Sequence, residues 1–230
     1  MDPTLSLAIV MLIAFLGFTV VILIGLPAID ASKQQTTLKD AESAAQLIDN
    51  AIRGVVADGK GAIRVIDLTS PEFVSVPQED AFEFKATANI ELFEHLSRRF
   101  AGNIVYIAGS DVSCSEGEQN ITVENSRVLA VFQKIAKTAP YSSIDTARNL
   151  LSIREKPSGT ALAIANSSIV IDDNQASASG NGYSELLRSG SSLPACTAHF
   201  FINSTSTDYD AYYTLYSGAD FLVLDIRNPR

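Results

Sequence analysis

Near its N-terminus the chain has a long run of residues without a single charge. Residues 3–29 are uncharged, and positions 5–29 read LSLAIVMLIAFLGFTVVILIGLPAI. As a helix that rises ~1.5 Å per residue this run extends ~37 Å, more than the ~30 Å hydrocarbon thickness of a bilayer. A cleaved secretory signal is the alternative, but its apolar core has only ~7–15 residues and follows basic residues. The preceding MDPT has neither Lys nor Arg, so we expect one membrane-spanning anchor over Leu5–Ile29.

Two opposing signals bear on which side of the membrane holds the rest of the chain. Lys33 and Lys39 follow the apolar run, and a basic flank favours the cytoplasmic side, although the rule weakens when a long domain follows. Three N-x-[ST] sequons, at Asn120, Asn166 and Asn203, indicate possible glycosylation and hence an exterior surface. We therefore expect a single-pass membrane protein whose C-terminal bulk is extracellular.

After the apolar run the sequence keeps a helical period but becomes half polar. Apolar residues at intervals of three and four predict one stripe on an amphipathic helix. Gly25 and Pro27 predict a bend near the membrane interface, since Pro removes one helical hydrogen bond. Asp58-Gly59 predicts the end of the helix. The residues of the predicted stripe are Leu38, Ala41, Ala45, Ile48, Ile52 and Val55.

The remaining residues predict mainly antiparallel β-structure. Segments 62–68, 72–76 and 81–86 alternate apolar and polar residues between turn residues, which predicts a three-stranded meander packed on the helix stripe. Residues 90–100 fit either a short helix or a strand. Further short candidate strands have the spacing of a β-sandwich. They are 103–108, 121–124, 128–135, 150–154, 161–164, 169–171, 197–202, 211–216 and 221–226.

Together these segments predict an α+β fold in three parts. Residues 1–30 form the transmembrane anchor, and residues 31–110 form the amphipathic helix with the meander. Residues 111–230 form a β-rich, sandwich-like domain. The change of character over 109–120, GSDVSCSEGEQN, marks the last boundary, whereas 138–149 fits a helical turn and 177–181 a loop.

This order of elements resembles type IV pilins and the pilin-like surface proteins of archaea. The likeness covers residues 5–88, including AESAAQLIDNAIRGVVADGKGAIRVIDL followed by FVSVPQEDAFEFK. In such proteins the apolar helices pack with copies of themselves as a filament core, and the exterior domains form the fibre surface. The resemblance implies close helix packing at small residues such as Ala14 and Gly17. Residues 124–230 have a weaker resemblance to galactose-mutarotase-like β-sandwiches, which often accompany sugar-processing enzymes.

Charge and cysteine usage narrow the partners. The net charge is −9 and the sequence pI about 4.7, which disfavours nucleic acid because its phosphates repel an acidic surface. The two cysteines, Cys114 and Cys196, are too far apart for a zinc or redox motif, which needs closely spaced ligands. They fit either one disulfide bond or two buried thiols. We expect no metal and no cofactor.

Groups for catalysis are sparse. There is no G-x-S-x-G elbow, and we expect His95 at a helix edge and His199 on a sandwich strand. Neighbouring acids are usually solvated turn residues, although a glycosidase needs two that face a sugar. The sequence therefore predicts a non-catalytic protein. The acidic pairs are Glu79/Asp80, Asp172/Asp173 and Asp208/Asp210.

The aromatic segment near the C-terminus supports an alternative function. Because side chains alternate along a strand, Tyr212 and Tyr216 should share one face and Tyr213 the other. Aromatic faces stack on sugars, so Tyr212 and Tyr216 could bind surface glycans. The primary expectation is a pilin-like surface protein that acts in filament assembly or adhesion. The alternative is an anchored carbohydrate-binding module that serves a surface enzyme system.

Overall fold

The computed structural model describes residues 3–68, 73–77, 81–86, 99–162, 164 and 167–230. The fold is α+β, as expected: one long N-terminal helix is followed by antiparallel sheets, of which the C-terminal ones form a sandwich-like arrangement. The chain divides into two compact units, Met1–Leu92 and Phe93–Arg230. The strand within residues 109–120 belongs to the second unit, together with the rest of the predicted part 111–230. The three-part division stays a prediction.

The N-terminal helix is nearly continuous. Helix α1, Pro3–Val20, passes through one π-helical turn, Val21–Gly25, into helix α2, Leu26–Asp58. Pro27 cannot donate a backbone hydrogen bond to a residue one turn earlier, and its ring crowds that carbonyl. The wider π turn, in which the Leu26 N–H bonds to the Val21 carbonyl, relieves the crowding without breaking the helix. The predicted bend is therefore a local widening.

The apolar part of this helix faces outward on all sides. Between residues 9 and 30 only Gly25 is partly buried, and every other residue is exposed. Among the described residues, Ile9–Asp58 is the one helix long and apolar enough to cross a membrane, as a single span or a signal anchor. The expectation of a membrane-crossing segment is confirmed to that extent.

The amphipathic half buries a stripe slightly rotated from the predicted one. Ala41, Ala44 and Ile48 are buried, whereas Ile52 is 46% exposed. At about 100° per residue, Ala44 and Ile52 lie about 40° to opposite sides of Ile48. The buried side is the one that carries Ala44, so the stripe is narrower and richer in Ala than predicted.

The predicted meander is a two-stranded hairpin in the described residues. Strands β1, Phe73–Val76, and β2, Ala81–Phe84, pair antiparallel. Residues 62–68, all described, form no strand, so that part of the prediction was wrong. Instead Arg64 turns back to the helix, where its Nη2 lies 2.7 Å from Asp58 Oδ2. Side chains of an extended chain point alternately to opposite sides. Because Arg64 points toward the helix, the neighbouring Val65 points away from it and is 89% exposed.

The second unit is built from a short strand pair and two larger antiparallel sheets. The pair is β3, Arg99–Ala101, with β4, Ile104–Tyr106. The six-stranded sheet has the order β10-β9-β7-β6-β5-β12 and the five-stranded sheet β15-β14-β13-β11-β8. Short 3-10 helices occupy Thr146–Arg148 and Gln175–Ala178. The strands are β5 Val112–Glu116, β6 Asn120–Glu124, β7 Val128–Gln133, β8 Ser142–Asp145, β9 Leu150–Glu155, β10 Ala161–Leu162, β11 Ser179–Leu186, β12 Gly190–Leu193, β13 Ala195–Ser204, β14 Asp208–Tyr216 and β15 Val223–Arg227.

The core lies where alternate residues of the two sheets meet. Phe132 of β7 contacts Phe200 of β13 and Tyr213 of β14, with ring centroids 6.1 and 5.2 Å apart. Cys114 of β5 and Cys196 of β13 form a disulfide bond that joins the two sheets. Of the two alternatives for the cysteines, the structure thus has the bridge.

Several strands differ from the sequence prediction. Residues 138–149 contain the expected helical turn as the 3-10 helix Thr146–Arg148, but strand β8 precedes it. Strand β11 includes residues assigned to a loop. Residues 169–171 form only an isolated bridge, Ile171 with Asn174. Gly180 and Gly182 explain the loop assignment: each passes so close to a β13 carbonyl that a Cβ would clash with it. These glycines permit close strand approach here, although they usually indicate a turn.

A polar cluster, in which Asn125 and Ser217 are buried and Asp111 is exposed, lies at one end of the sandwich. Asp111 accepts hydrogen bonds from Ser217 Oγ at 2.6 Å, Gly218 N at 2.9 Å and Ser126 N at 3.0 Å. Burial raises the pKa of Asp111, but the hydrogen bonds from Ser126, Ser217 and Gly218 outweigh it and lower the pKa to about 2. Asn125 donates to the carbonyls of Tyr216 and Ala219 at 2.9 and 2.7 Å.

Candidate functional site

The small residues predicted to pack helices lie on an open surface. Ala14 and Gly17 are exposed, and they are three positions apart, which places them on one face of α1. A Cβ added to Gly17 would meet nothing within 4 Å. This face can therefore approach another helix closely without any change in the chain's own packing.

Two of the three sequons lie on the described surface. Asn120 is the first residue of β6 and Asn203 lies near the end of β13, and both are exposed. Asn166 lies outside the described residues. The exposure of Asn120 and Asn203 is what an N-glycosylation site requires, because the attached sugar is bulky and hydrated.

The outer surface of the five-stranded sheet carries a row of aromatic side chains. We call it the outer aromatic row. Strand register creates it, because Tyr183 of β11 lies opposite Phe201 of β13, and His199 of β13 lies opposite Tyr212 of β14. Each of these residues points away from the core, since its neighbours in sequence point inward. Its members are Tyr141, Tyr183, Phe201, His199 and Tyr212.

Successive rings of the row are in contact. Tyr183 lies 5.4 Å from Tyr141 and 5.5 Å from Phe201, measured between ring centroids. It also meets His199 edge-on at 5.9 Å. His199 then stacks on Tyr212 at 4.6 Å. Such ring pairs add about 0.5–1.5 kcal/mol each beyond the area they bury, so the row is a rigid surface.

His199 is held between two carboxylates. Its Nδ1 lies 3.0 Å from Glu185 Oε1 and its Nε2 lies 2.8 Å from Asp210 Oδ1, while its side chain is only 7% exposed. An ionised carboxylate can only accept hydrogen bonds, and a neutral imidazole has a single N–H. Both contacts can therefore be hydrogen bonds only if one further proton is present, either on the imidazole or on one of the two carboxylates. The arrangement fixes the ring in place.

Lys137 completes the charged side of the row. Its Nζ donates to Glu185 Oε2 at 2.7 Å and lies 4.7 Å from the centre of the Tyr183 ring. The hydrogen bond to Glu185 raises the pKa of Lys137. Burial raises the pKa of Glu185, but hydrogen bonds from Lys137 and His199 outweigh it, so that pKa is lowered. Burial also raises the pKa of Tyr183, against the effect of Lys137.

Tyr212 is enclosed by its neighbours. His199 stacks on the ring from the β13 side, and Arg227 of β15 places its guanidinium carbon 4.6 Å from the ring centre. Tyr216 shares the outer face with Tyr212, as predicted from the alternation. The two are four residues apart, about 13 Å along a strand, which is too far for both to stack on one sugar. In contrast, Tyr141 is 40% exposed.

The other predicted groups give no catalytic arrangement in the described part of the chain. Asp208 and Asp210 share one face, but Asp210 is engaged by His199 and by Asn228, whose Nδ2 lies 3.1 Å from Asp210 Oδ2. Asp172 and Asp173 have positive φ angles, which fits a turn. Among the described residues no group of three or more His, Cys, Asp or Glu side chains could hold a metal ion. Glu79, Asp80 and His95 lie outside the described residues.

Sequence reasoning found His199 and Tyr212 but missed most of their partners. Tyr183 and Glu185 were not singled out, because the start of β11 was assigned to a loop. Lys137, which lies between β7 and β8, was not singled out either. The alternation of Asn181, Tyr183 and Glu185 was the available signal. Comparison with models of protein families, with curated proteins and with solved structures finds no match for this chain. Its function therefore has to follow from its own geometry.

Proposed function

We propose that this chain is a non-catalytic, membrane-anchored cell-surface protein of the pilin-like kind, which acts in filament assembly or adhesion. The observation that carries the proposal is the N-terminal helix. Its apolar side chains are exposed on all sides from residue 9 to residue 29, and Ala14 and Gly17 form an open face of small residues.

An apolar helix of this kind needs surroundings that its own chain does not supply. Exposed apolar surface is unfavourable in water, so the helix requires lipid, neighbouring helices or both. In lipid, helices associate by close packing and not by the hydrophobic effect, and small residues permit the closest approach. Gly17 and Ala14 fit helix–helix contact between copies of the chain, which a solitary anchor does not need.

An exterior location of the sandwich has two independent supports. The Cys114–Cys196 disulfide bond is typical of oxidising compartments outside the cytosol. The exposed sequons at Asn120 and Asn203 are the pattern that surface glycosylation uses. Both favour the extracellular side over the cytoplasmic side indicated by Lys33 and Lys39.

Replacement of Gly17 by Leu tests the proposal. The variant should stay in the membrane fraction but lose fibres in electron micrographs of the expressing cells, because the added side chain separates neighbouring helices. Thr19→Leu, on the opposite face of α1 at about 200° from Gly17, is the matched control and should keep its fibres. Absence of fibres from wild-type cells, or an unaffected Gly17→Leu variant, would contradict filament assembly.

The carbohydrate-binding alternative has weaker support. Tyr212, one of its two predicted stacking residues, has His199 and Arg227 beside its ring. A glycan array probed with the full chain in detergent checks this alternative. Binding that is lost in Tyr216→Ala would favour the alternative, whereas no binding to any sugar would remove it.

A further inference from the structure

We propose that Asn203 carries an N-linked glycan whose first sugar rings pack on three aromatic side chains of the same sheet face. These three, Tyr141, Tyr183 and Phe201, are called here the three-ring cluster. The proposal rests on the extracellular orientation proposed above. The glycan would cover an outer face that is unusually aromatic for a surface in contact with water.

Strand register places Asn203 beside the cluster. Phe201 and Asn203 are two residues apart on β13, so they point to the same outer face at a separation of about 7 Å. Phe201 lies opposite Tyr183 of β11, and Asn203 lies opposite Asn181, two residues further along the same pair of strands. A sugar attached to Asn203 needs to extend by only one ring to lie over Phe201.

The three-ring cluster is preformed and partly open. Its rings lie 5.4 to 6.0 Å from one another, and Tyr141 is 40% exposed. Lys137 and His199 hold the far side of Tyr183. A pyranose presents an apolar face of C–H groups, and an aromatic ring offers it a flat apolar surface with negative charge density. No hydrogen bond ties the Asn203 side chain to any other described residue, so its amide is available.

The attachment is a group transfer from a lipid-phosphate-linked oligosaccharide, which an exported N-glycosylation machinery supplies. The amide nitrogen of Asn203 forms a bond to the anomeric carbon of the first sugar. The bond from that carbon to the phosphate oxygen breaks, the lipid phosphate leaves, and the amide nitrogen gives one proton to a base of the transferase. Thr205, the hydroxyl residue of the sequon, is exposed in the turn after β13.

Asn120 provides the matched control within the same chain. It is also an exposed sequon residue on a sandwich strand, but it belongs to the six-stranded sheet and lies opposite Gln133. The open groove beside it is lined by polar and aliphatic residues, among them Lys134, Leu150 and Leu151. A glycan at Asn120 would therefore lack the ring surface that Asn203 has.

The test combines mass spectrometry with unfolding of the full chain purified from its native membranes. After reduction and alkylation of the Cys114–Cys196 bond, trypsin places Asn120 on the peptide 100–127 and Asn203 on 189–227, so each site is read separately. We expect hexose-containing mass on 189–227. Asn203→Gln should lower the melting temperature by about 2–4 °C, the response of a domain of this size to one lost contact. Asn120→Gln should leave it unchanged.

A double-mutant comparison isolates the stacking. Tyr141→Ser should lower the melting temperature in every background, because it removes the contacts of Tyr141 with Tyr183 and Phe201. The decrease should be smaller in Asn203→Gln, which has no glycan on the ring, than in the glycosylated chain or in Asn120→Gln. Equal effects of Tyr141→Ser in all three backgrounds would overturn the packing of the glycan on the rings. An unmodified 189–227 peptide would overturn the whole inference. Protease treatment of intact cells then shows which proposal has failed. Cleavage of the sandwich would place it outside the cell and leave the proposed surface function in place. A sandwich protected from the protease would contradict both the surface function and the glycan.

Discussion

Between residues 9 and 30 the helix leaves almost every apolar side chain exposed, whereas Phe132, Phe200 and Tyr209 in the sandwich are fully buried. The sandwich satisfies its apolar residues within the chain, because two sheets close on each other and a disulfide bond joins them. The helix leaves its apolar residues exposed, and we propose that lipid or other helices cover them. The comparison implies that changes in one region should alter folding, and changes in the other should alter location and assembly.

Loss of a core ring should give the largest difference between the two regions in the effect of a substitution on stability. Phe132→Ala should lower the free energy of unfolding of the sandwich by about 3–5 kcal/mol, because it removes a fully buried ring and leaves a cavity. Denaturant unfolding of the full chain in detergent measures the change. Phe15→Ala, on the exposed helix, should leave that transition where it is. A similar loss in both variants would show that the two regions do not fold independently.

A charge introduced into the helix should impair membrane insertion and leave the stability of the sandwich unchanged. Ile13→Arg places a charge near the middle of the apolar run, where insertion is disfavoured by about 2.5–3.5 kcal/mol. Membrane fractionation should then show chain released or excluded from the membrane, while the sandwich keeps its melting temperature. Gln46→Arg, an exposed position of the amphipathic half, should fractionate like the wild type. Full retention of Ile13→Arg would argue against a lipid-embedded helix.

Polar contacts in the sandwich should have a smaller effect than its core rings. Asn125→Ala removes the donor to the carbonyls of Tyr216 and Ala219. Buried hydrogen-bonding groups left without partners are expected to lower the free energy of unfolding by about 1–3 kcal/mol. Chemical denaturation checks the value. Asn181→Ala, an exposed position on β11, is the control and should change stability little.

The smallest predicted effect is a dependence of sandwich stability on acid. The folded pKa of Asp111 is about 2, below its ordinary value of 3.8. Ionised Asp111 therefore stabilises the fold fully when the pH is above that ordinary pKa. This contribution is lost as pH falls from about 4 to about 2, because the unfolded chain takes up the proton first. Melting temperatures measured across that interval should fall less steeply in Asp111→Asn. Parallel curves for the two proteins would assign the acid sensitivity to other groups.

The sequence predicted best where one physical constraint acts locally. An uncharged run of this length has one good solution in a membrane, a helix. The alternation over Asp208–Tyr216 placed Tyr212 and Tyr216 outward and Tyr213 inward, as the structure has them. The amphipathic helix and its end at Asp58 followed from a period that a single helix satisfies by itself.

Prediction failed where an element depends on a distant partner. Residues 62–68 alternate like a strand, yet Arg64 bonds to Asp58 and no ladder forms. Conversely, the Gly-rich start of β11 reads as a loop, but its glycines allow close contact with β13. In both cases the local pattern fits either a strand or a loop. Contacts with residues elsewhere in the chain decide which of the two forms.

What the amino-acid sequence determined by itself is the apolar helix, the alternation within single strands and the presence of sequons, because each depends on residues that are neighbours along the chain. The tertiary structure decided the Cys114–Cys196 bridge and the contacts of His199 with Glu185 and Asp210. It also brought Asn203 beside the three-ring cluster. These depend on register between separate strands, and a shift of one residue would turn every side chain of a strand to the other face.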